Sequence, residues 1–154
     1  MSLQLPRNEP CPFCEMLEGR REGPFVARGP RVSTFVNLKQ FERGALLVIP
    51  NRHVPTLLEA RVSEIAEVAA ETHRVARALV RAFEPAGLSV YQNNGIQAGQ
   101  SVPHYHVHLV PRYPGSNPRK VFSERDYEPV SHAEREVVAR AVRAALEELE
   151  QTGA

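Results

Sequence analysis

Two segments of the chain place apolar residues three and four positions apart, which is the spacing of an amphipathic helix. In the first segment, residues 62–85, the predicted N-cap is Ser63, and Pro85 with Gly87 supplies a stop signal. The residues that recur on one face are Ile65, Val68, Ala69, Thr72, Val75, Ala76, Leu79 and Phe83. We predict a long helix here that buries one stripe and exposes its charged side.

The second segment, residues 131–150, begins with Ser131 and Glu134 at the spacing of a capping box. Its apolar face consists of Val138, Ala141, Val142, Ala145 and Leu149. This pattern predicts a C-terminal helix within residues 128–154.

Between and before the helices, the pattern changes to short runs of β-branched and aromatic residues, separated by Gly, Pro and Asn. These runs are 24–28, 31–37, 44–50, 88–95 and 104–113. Several of them are joined too tightly for a crossover helix, which favours antiparallel neighbours. The prediction is an α+β fold with a mainly antiparallel sheet of about five strands, one long central helix and a C-terminal helix. The residues at 112–120, with two prolines and a glycine, are predicted as a loop.

The length, hydrophobic share and net charge of the chain limit its domain number, its partners and its location. A chain of 154 residues, 42% of them hydrophobic, is long enough for one core, so residues 1–154 are predicted to form one domain. Nineteen basic and eighteen acidic residues leave a formal net charge of +1, which argues against nucleic acid as a general partner. No apolar run approaches the roughly 18–20 residues of a membrane span, and the start, MSLQLPRNEP, lacks the apolar region of a secretory signal. We therefore expect a cytoplasmic protein that does not engage a membrane.

Three of the six histidines occur at alternate positions, in the run HYHVHLV. In a strand, alternate side chains project to the same side. His104, His106 and His108 would then share one face, while the intervening residues enter the core. Two functions fit such a face. It could hold a metal ion through three imidazoles, or one imidazole could be a nucleophile that its neighbours orient.

The segment NNGIQAGQS, which leads into the histidines, favours the nucleophile. Its glycines permit close backbone approach, and its N–H groups could form an anion-binding nest. Backbone and side-chain donors are available at Asn94, Gly99, Gln100 and Ser101. A phosphate group facing a nucleophile explains these donors, whereas a metal site of three imidazoles does not.

The histidine run, the preceding AGQS and the IPNRH segment together resemble the histidine triad (HIT) superfamily of nucleotide hydrolases and transferases. The resemblance extends from CPFC to about Arg112. It implies an antiparallel α+β fold, usually a homodimer, and a nucleotide substrate. It also implies that the middle histidine, His106, attacks an α-phosphate and forms a nucleotidyl-histidine intermediate. The sequence VPR that follows the histidines looks more like the dinucleoside-polyphosphate hydrolase branch.

Roles for the surrounding residues follow from this resemblance. His108, Gln100 and Ser101 are expected to contact the phosphate or the leaving group and to stabilise the charge that grows there. Asn37 matches the position where the family places Asn or Asp against ribose hydroxyls, although an asparagine after a strand is also typical of a turn. Where the family often has a Pro-Gly-His-like turn, this chain has Arg-Gly-Ala at 43–45. The sequence therefore does not define the shape of the nucleoside pocket.

The only two cysteines, Cys11 and Cys14, form a CPFC motif. Taken alone, this spacing fits two zinc thiolates, a redox pair or two reduced cysteines. Family members with such a motif bind zinc with two further histidines, and the matching residues here are His53 and His104. His53 alone would be taken for a surface residue before a helix. The resemblance thus implies one structural zinc per chain, which would tie down the N-terminal residues 1–22.

The leading hypothesis is a nucleotide hydrolase that cleaves a dinucleoside polyphosphate or a nucleoside phosphoramidate. A phosphorylase, which transfers the nucleotidyl group to phosphate, would use the same residues. A nucleotide-binding regulator with slow turnover and a zinc-stabilised interaction domain are the alternatives from other classes.

Overall fold

The computed structural model describes residues 3–40, 42–117 and 128–153, and part of the loop predicted at 112–120 lies outside these ranges. Two single turns of 3-10 helix lie at Leu57–Glu59 and Ile96–Ala98. The other elements in the described ranges, in chain order, are α1 (Pro12–Leu17), β1 (Phe25–Arg28), β2 (Val32–Val36), β3 (Leu46–Pro50), α2 (Val62–Phe83), β4 (Gly87–Tyr91), β5 (Val107–Arg112) and α3 (His132–Thr152).

The five strands form one sheet in the order β1-β2-β3-β5-β4, and every neighbouring pair is antiparallel. The central strand β3 is buried along its whole length. Its sequence, LLVIP, is continuously apolar because both faces of the sheet are covered there. The predicted α+β fold with a mainly antiparallel sheet, a long helix and a C-terminal helix is therefore confirmed.

Alternate residues of the central strands enter two different cores. On one face, α2 and α3 pack against residues such as Val36, Leu46 and Leu109. On the other face, the short helix α1 covers Phe35, Leu47 and Ile49 with its own Phe13 and Met16. The sheet is thus the middle layer of the fold, and the second face, under α1, is the one that carries the candidate chemistry.

The ends of α3 and α2 show how polar side chains satisfy free backbone groups. The Oγ of Ser131 accepts the backbone N–H of Glu134, and the Glu134 carboxylate accepts the N–H of Ser131, so the predicted capping box is confirmed. The predicted N-cap of α2 is wrong, because that helix already begins at Val62 and Ser63 lies inside it. The carboxylate of Glu64 reaches back to the N–H of Arg61, at 2.8 Å, and takes over the capping role.

Two strand limits also differ from the predictions. The regular ladder of β5 begins only at Val107, so His104 and His106 precede it. There the backbone N–H of Tyr105 donates to the carbonyl of Val54, outside the sheet. β4 ends at Tyr91, because the chain turns after it towards the Ile96–Ala98 turn. In the described part of the chain, no helix has the combination of length and apolarity that crossing a membrane requires.

Candidate active site and metal-ligand cluster

A row of side chains crosses the sheet on the face beneath α1. The strand register places Phe35 opposite Leu47, Leu47 opposite His108, and His108 opposite Tyr91. Because residues that are directly paired point to the same face, the row leads from an aromatic residue on β2 to a histidine on β5. The row therefore forms the floor of a site that α1 covers.

A cavity of about 470 Å³ lies between this row and α1. One end holds His106, His108 and Ser101, and the walls are mostly apolar. The lining residues are Pro12, Phe13, Met16, Arg21, Glu22, Phe35, Val36, Asn37, Leu38, Lys39, Leu47, Ser101, Val102, His106, His108 and Arg135. An apolar cavity with a few polar groups gathered at one end is typical of a small-molecule site.

The ring of His106 has one defined proton position. Its Nδ1 lies 2.5 Å from the backbone carbonyl oxygen of His104, and a carbonyl oxygen can only accept a hydrogen bond. Nδ1 therefore carries the proton, and the lone pair is on Nε2. Burial lowers the pKa of His106, which favours the neutral imidazole. An imidazole in this state can act as a nucleophile without a separate base.

His108 lies beside His106, with 4.8 Å between the ring centroids, and stacks on the ring of Tyr91. Burial, with a smaller contribution from His106, holds the pKa of His108 well below its usual range. In the described structure, the buried Nδ1 of His108 and the buried Nδ2 of Asn37 have no hydrogen-bond partner. Native proteins rarely leave such groups unsatisfied. Both atoms belong to residues that line the cavity, which indicates a polar ligand there.

The loop before the histidines is held by Gln100. Its Oε1 accepts the N–H of Gly95, and its Nε2 donates to the carbonyls of Pro55 and Val102. Asn94 is engaged in the same way, since its Oδ1 accepts the N–H of Leu57. Neither residue lines the cavity. Their contact with a substrate stays a prediction, and the structure gives both side chains backbone partners instead.

Of the predicted substrate and catalytic residues, the structure brings four together around the cavity: Asn37, Ser101, His106 and His108. Gly99 lies outside it, exposed, with a φ of +87° that glycine adopts readily. The aromatic and methionine walls and Arg135 were not identified from the sequence. Sequence patterning assigns apolar side chains to a core and the arginines of the C-terminal helix to its charged, exposed side. Their position beside the histidines arises only from the packing of distant segments.

The four predicted metal ligands, Cys11, Cys14, His53 and His104, meet behind the cavity, with their ligand atoms all within 4.8 Å of one another. The Nδ1 of His104 lies 3.6 Å from the Sγ of Cys11 and 3.7 Å from the Sγ of Cys14. The Nδ1 of His53 lies 3.3 Å from the Sγ of Cys14. In a tetrahedral zinc site, Zn–S and Zn–N bonds of usual length separate neighbouring S and N atoms by about 3.5 Å. The group therefore has both the donor set and the spacing of a zinc site.

The protonation states in this cluster also suit a metal. The Nε2 of His104 donates to the carbonyl of Pro50 at 2.8 Å, which directs the Nδ1 lone pair to the cysteines. Burial lowers the pKa of His104 to about 4, so the ring is neutral. Burial and the adjacent Cys11 thiol raise the pKa of Cys14 to about 12. A bound cation would reverse that effect, because it favours the thiolate.

Comparison with known families agrees with this geometry. The HIT domain family matches residues 19–115, which is more than half of the chain. The protein therefore belongs to the HIT family. The resemblance noted in the sequence is confirmed, and the five-stranded sheet and the histidine run are features that this chain shares with a known class.

Three curated relatives show the range of names in the family. The chain is 37% identical to Protein hit of Bacillus subtilis (strain 168) over 105 residues, which are 68% of this chain and 72% of that protein. It is 39% identical over 106 residues to an AP-4-A phosphorylase of Mycobacterium tuberculosis (strain H37Rv), covering 68% of this chain and 54% of that one. It is 36% identical over 94 residues to the asymmetrical bis(5'-nucleosyl)-tetraphosphatase of Schizosaccharomyces pombe, covering 61% and 49%. The match thus spans about half of the two relatives with enzyme names.

Solved structures with the same fold cover nearly the whole chain. A protein from Sulfolobus tokodaii, described as a hypothetical histidine triad nucleotide-binding protein, is 28% identical, with a TM-score of 0.82, and the match covers 92% of this chain and 95% of that one. A zinc-bound histidine triad family protein from Mycobacterium smegmatis is also 28% identical, with a TM-score of 0.77 and coverage of 93% and 97%. One structural relative with this fold is therefore described as holding zinc.

Proposed function

We propose that the protein is a nucleotide hydrolase that attacks the α-phosphate of a dinucleoside polyphosphate or a nucleoside phosphoramidate and forms a covalent intermediate on His106. The observation that carries the proposal is the hydrogen bond from the Nδ1 of His106 to the carbonyl of His104, which leaves the lone pair on Nε2 of a residue that lines the cavity. The names of the relatives place nucleotide chemistry in the family.

The first step forms a bond between phosphorus and the Nε2 of His106 and breaks the bond to the leaving group. The leaving group takes the bonding electrons and acquires a proton from water or a cavity donor. The positive charge that develops on the ring is stabilised through its Nδ1–H, which already donates to a carbonyl. In the second step, water attacks the phosphorus, the P–N bond breaks, and His106 recovers its lone pair.

Residues around His106 would provide the contacts that this chemistry needs. The ring of His108 and the hydroxyl of Ser101 lie at the same end of the cavity as His106, where charge grows on the phosphoryl oxygens. Contacts of Gly99 and Gln100 with the phosphate would require a shift of the loop, because their backbone N–H groups donate to the carbonyls of Ile96 and Gly95. Asn37, with its free amide nitrogen, would contact the ribose.

A structural zinc bound by Cys11, Cys14, His53 and His104 would join three separate parts of the fold. The cysteines belong to the start of α1, His53 follows β3, and His104 precedes β5. Such a metal adds its binding free energy to the stability of the fold. It leaves both cavity histidines free for the substrate.

The partner that the family resemblance suggests is a second copy of the chain. β4 is an edge strand with a single neighbour, β5, and its Val90 is half exposed. An exposed edge of this kind can pair with the same edge of another copy. Sedimentation analysis tests this, with a dimer as the expected result.

The second candidate is transfer of the nucleotidyl group to inorganic phosphate, and the M. tuberculosis relative, named as a phosphorylase, favours it. A panel of dinucleoside polyphosphates and phosphoramidates, assayed with and without phosphate, separates the two. We expect a nucleoside monophosphate as the product in both conditions, and no product from His106→Asn. A nucleoside diphosphate that forms only when phosphate is added would instead establish the phosphorylase. Tight nucleotide binding without turnover on any substrate would instead favour a nucleotide-binding regulator.

A further inference from the structure

Arg135 is a buried cation that belongs to one side of the sheet and lines the cavity on the other. It lies in α3, which packs against α2, β1 and β2 on the opposite face, and it is 8% exposed. Its Nε donates to the carbonyl of Val130, and the N–H of Val130 donates to the carbonyl of Leu38, just beyond β2. These bonds anchor the guanidinium beside the end of β2. The reaction proposed above does not use it.

The guanidinium has donors that the described protein does not satisfy. Arginine carries five N–H groups and no acceptor. The described residues give the guanidinium of Arg135 one hydrogen bond, to the carbonyl of Val130, and no ion pair. Glu22 is close enough to act on it electrostatically, but the Glu22 side chain is 78% exposed. A ligand that meets Arg135 must therefore present hydrogen-bond acceptors.

The position of Arg135 decides which part of a nucleotide it meets. His108 on β5 and Phe35 on β2 belong to the same cross-sheet row, two strand spacings or roughly 10 Å apart. The rings of Phe13 and Phe35 are in edge contact, with 5.1 Å between their centroids, so a base does not fit between them. A nucleotide with its phosphorus at His106 and its ribose at Asn37 would therefore leave its base to the part of the cavity that Leu38 and Arg135 line. The outer edge of the base then faces the β2 end of the cavity, where Arg135 lies.

We propose that Arg135 reads the base and gives the site a preference for guanine over adenine. The proposal rests on the proposed function, because the phosphate end must lie at His106. Guanine presents two acceptors on one edge, O6 and N7, which match the fork of a guanidinium. Adenine presents N7 beside an amino group, whose hydrogens would face the hydrogens of Arg135. α3 lies outside the residues that match the HIT domain, so this contact would be a feature added to the shared site.

The test is the affinity for GMP and for AMP, measured by calorimetry on the full chain, since these products bind without turnover. The wild type should bind GMP at least about tenfold more tightly than AMP. Arg135→Met should weaken GMP binding about tenfold and change AMP binding less than about twofold. Arg135→Lys keeps the charge but loses the fork, so it should also lose most of the preference. Arg140→Met is the matched control, since Arg140 lies exposed on the same helix and lines none of the described cavities, and it should change neither affinity.

The outcomes separate the base assignment from the proposed function. Equal affinities of the wild type for GMP and AMP, or equal weakening of both by Arg135→Met, would overturn the role of Arg135. Neither result would contradict the proposed hydrolase function. A wild type that binds neither nucleotide would overturn the proposed function itself. AMP affinity reports whether the cavity is folded in each variant, and Arg135→Lys decides the question if Arg135→Met does not fold.

Discussion

Asn37 presents a buried amide nitrogen to the cavity, while its amide oxygen accepts the backbone N–H of Lys39 at 3.2 Å. The residue is 7% exposed and follows the last position of β2. The hydrogen bond to Lys39 fits the turn that an asparagine after a strand predicts. The free nitrogen fits the contact with ribose that the family resemblance implies. One side chain can serve both purposes, because its two polar atoms point to different partners.

We expect Asn37→Ala to weaken binding of a ribonucleotide about fivefold, since one lost hydrogen bond costs on the order of 1 kcal/mol. The measurement compares AMP with 2',3'-dideoxy-AMP in the wild type and in the variant. The wild type should bind the dideoxy ligand more weakly, and Asn37→Ala should bind the two ligands alike. A variant that still distinguishes them would show that Asn37 does not contact the ribose.

Among the elements, length decides what could be predicted from sequence. α2 and α3 span 22 and 21 residues, so their apolar positions repeat several times and their type was predictable. α1 has six residues and begins with a proline, which is too short for a repeat to show. Its position depends on Phe13 and Met16, which pack on a sheet that local sequence does not reveal. The wrong N-cap at Ser63 has a similar cause, since Glu64 is also held by Arg52 from outside the helix.

The cap of α2 should give a pH-dependent stability. Hydrogen bonds from Arg52 and from the backbone of Arg61 lower the pKa of Glu64 from 4.5 to about 2. A carboxyl group whose pKa is lower in the folded state stabilises the fold above its unfolded pKa and loses that contribution as the pH falls through the folded one. Glu64→Gln should therefore melt at a lower temperature than the wild type at pH 7. The difference should shrink as the pH falls from 4.5 through 2, since Glu64 is protonated in both the folded and the unfolded state only below pH 2. A difference that is constant over this range would contradict the role of the charge.

At the scale of the whole molecule, the cluster and the cavity share one segment of chain. His104 offers its ring to the cysteines and its carbonyl to the Nδ1 of His106. The alternation of the histidines was visible in the sequence because it is local. The walls of the cavity and Arg135 were not, because they come from α1, β2 and α3, which are brought together only in the folded chain. The predicted metal residues meet as expected, whereas zinc binding itself stays a prediction.

Zinc analysis of two variants tests whether the metal is structural and is bound independently of His106. Wild-type protein should contain about one zinc per chain. Cys14→Ser should lose zinc and melt at a lower temperature, because the binding free energy contributes to folding. Any fraction that stays folded should still react at His106. His106→Asn should keep its zinc and lose activity. The opposite pattern would place the metal on the three alternating histidines, and wild-type protein without zinc would leave the cysteines as two thiols.

The covalent intermediate is the most direct test of the central claim, which is that His106 is the nucleophile. Wild-type protein is mixed briefly with a dinucleoside polyphosphate or a nucleoside phosphoramidate, quenched, and examined by intact mass and peptide mapping. The account predicts an added mass of one nucleoside monophosphate on His106, labile in acid and stable in alkali as a P–N bond should be. His106→Asn should fold and show no adduct. Undiminished turnover in His106→Asn, or an adduct on a different residue, would contradict the mechanism.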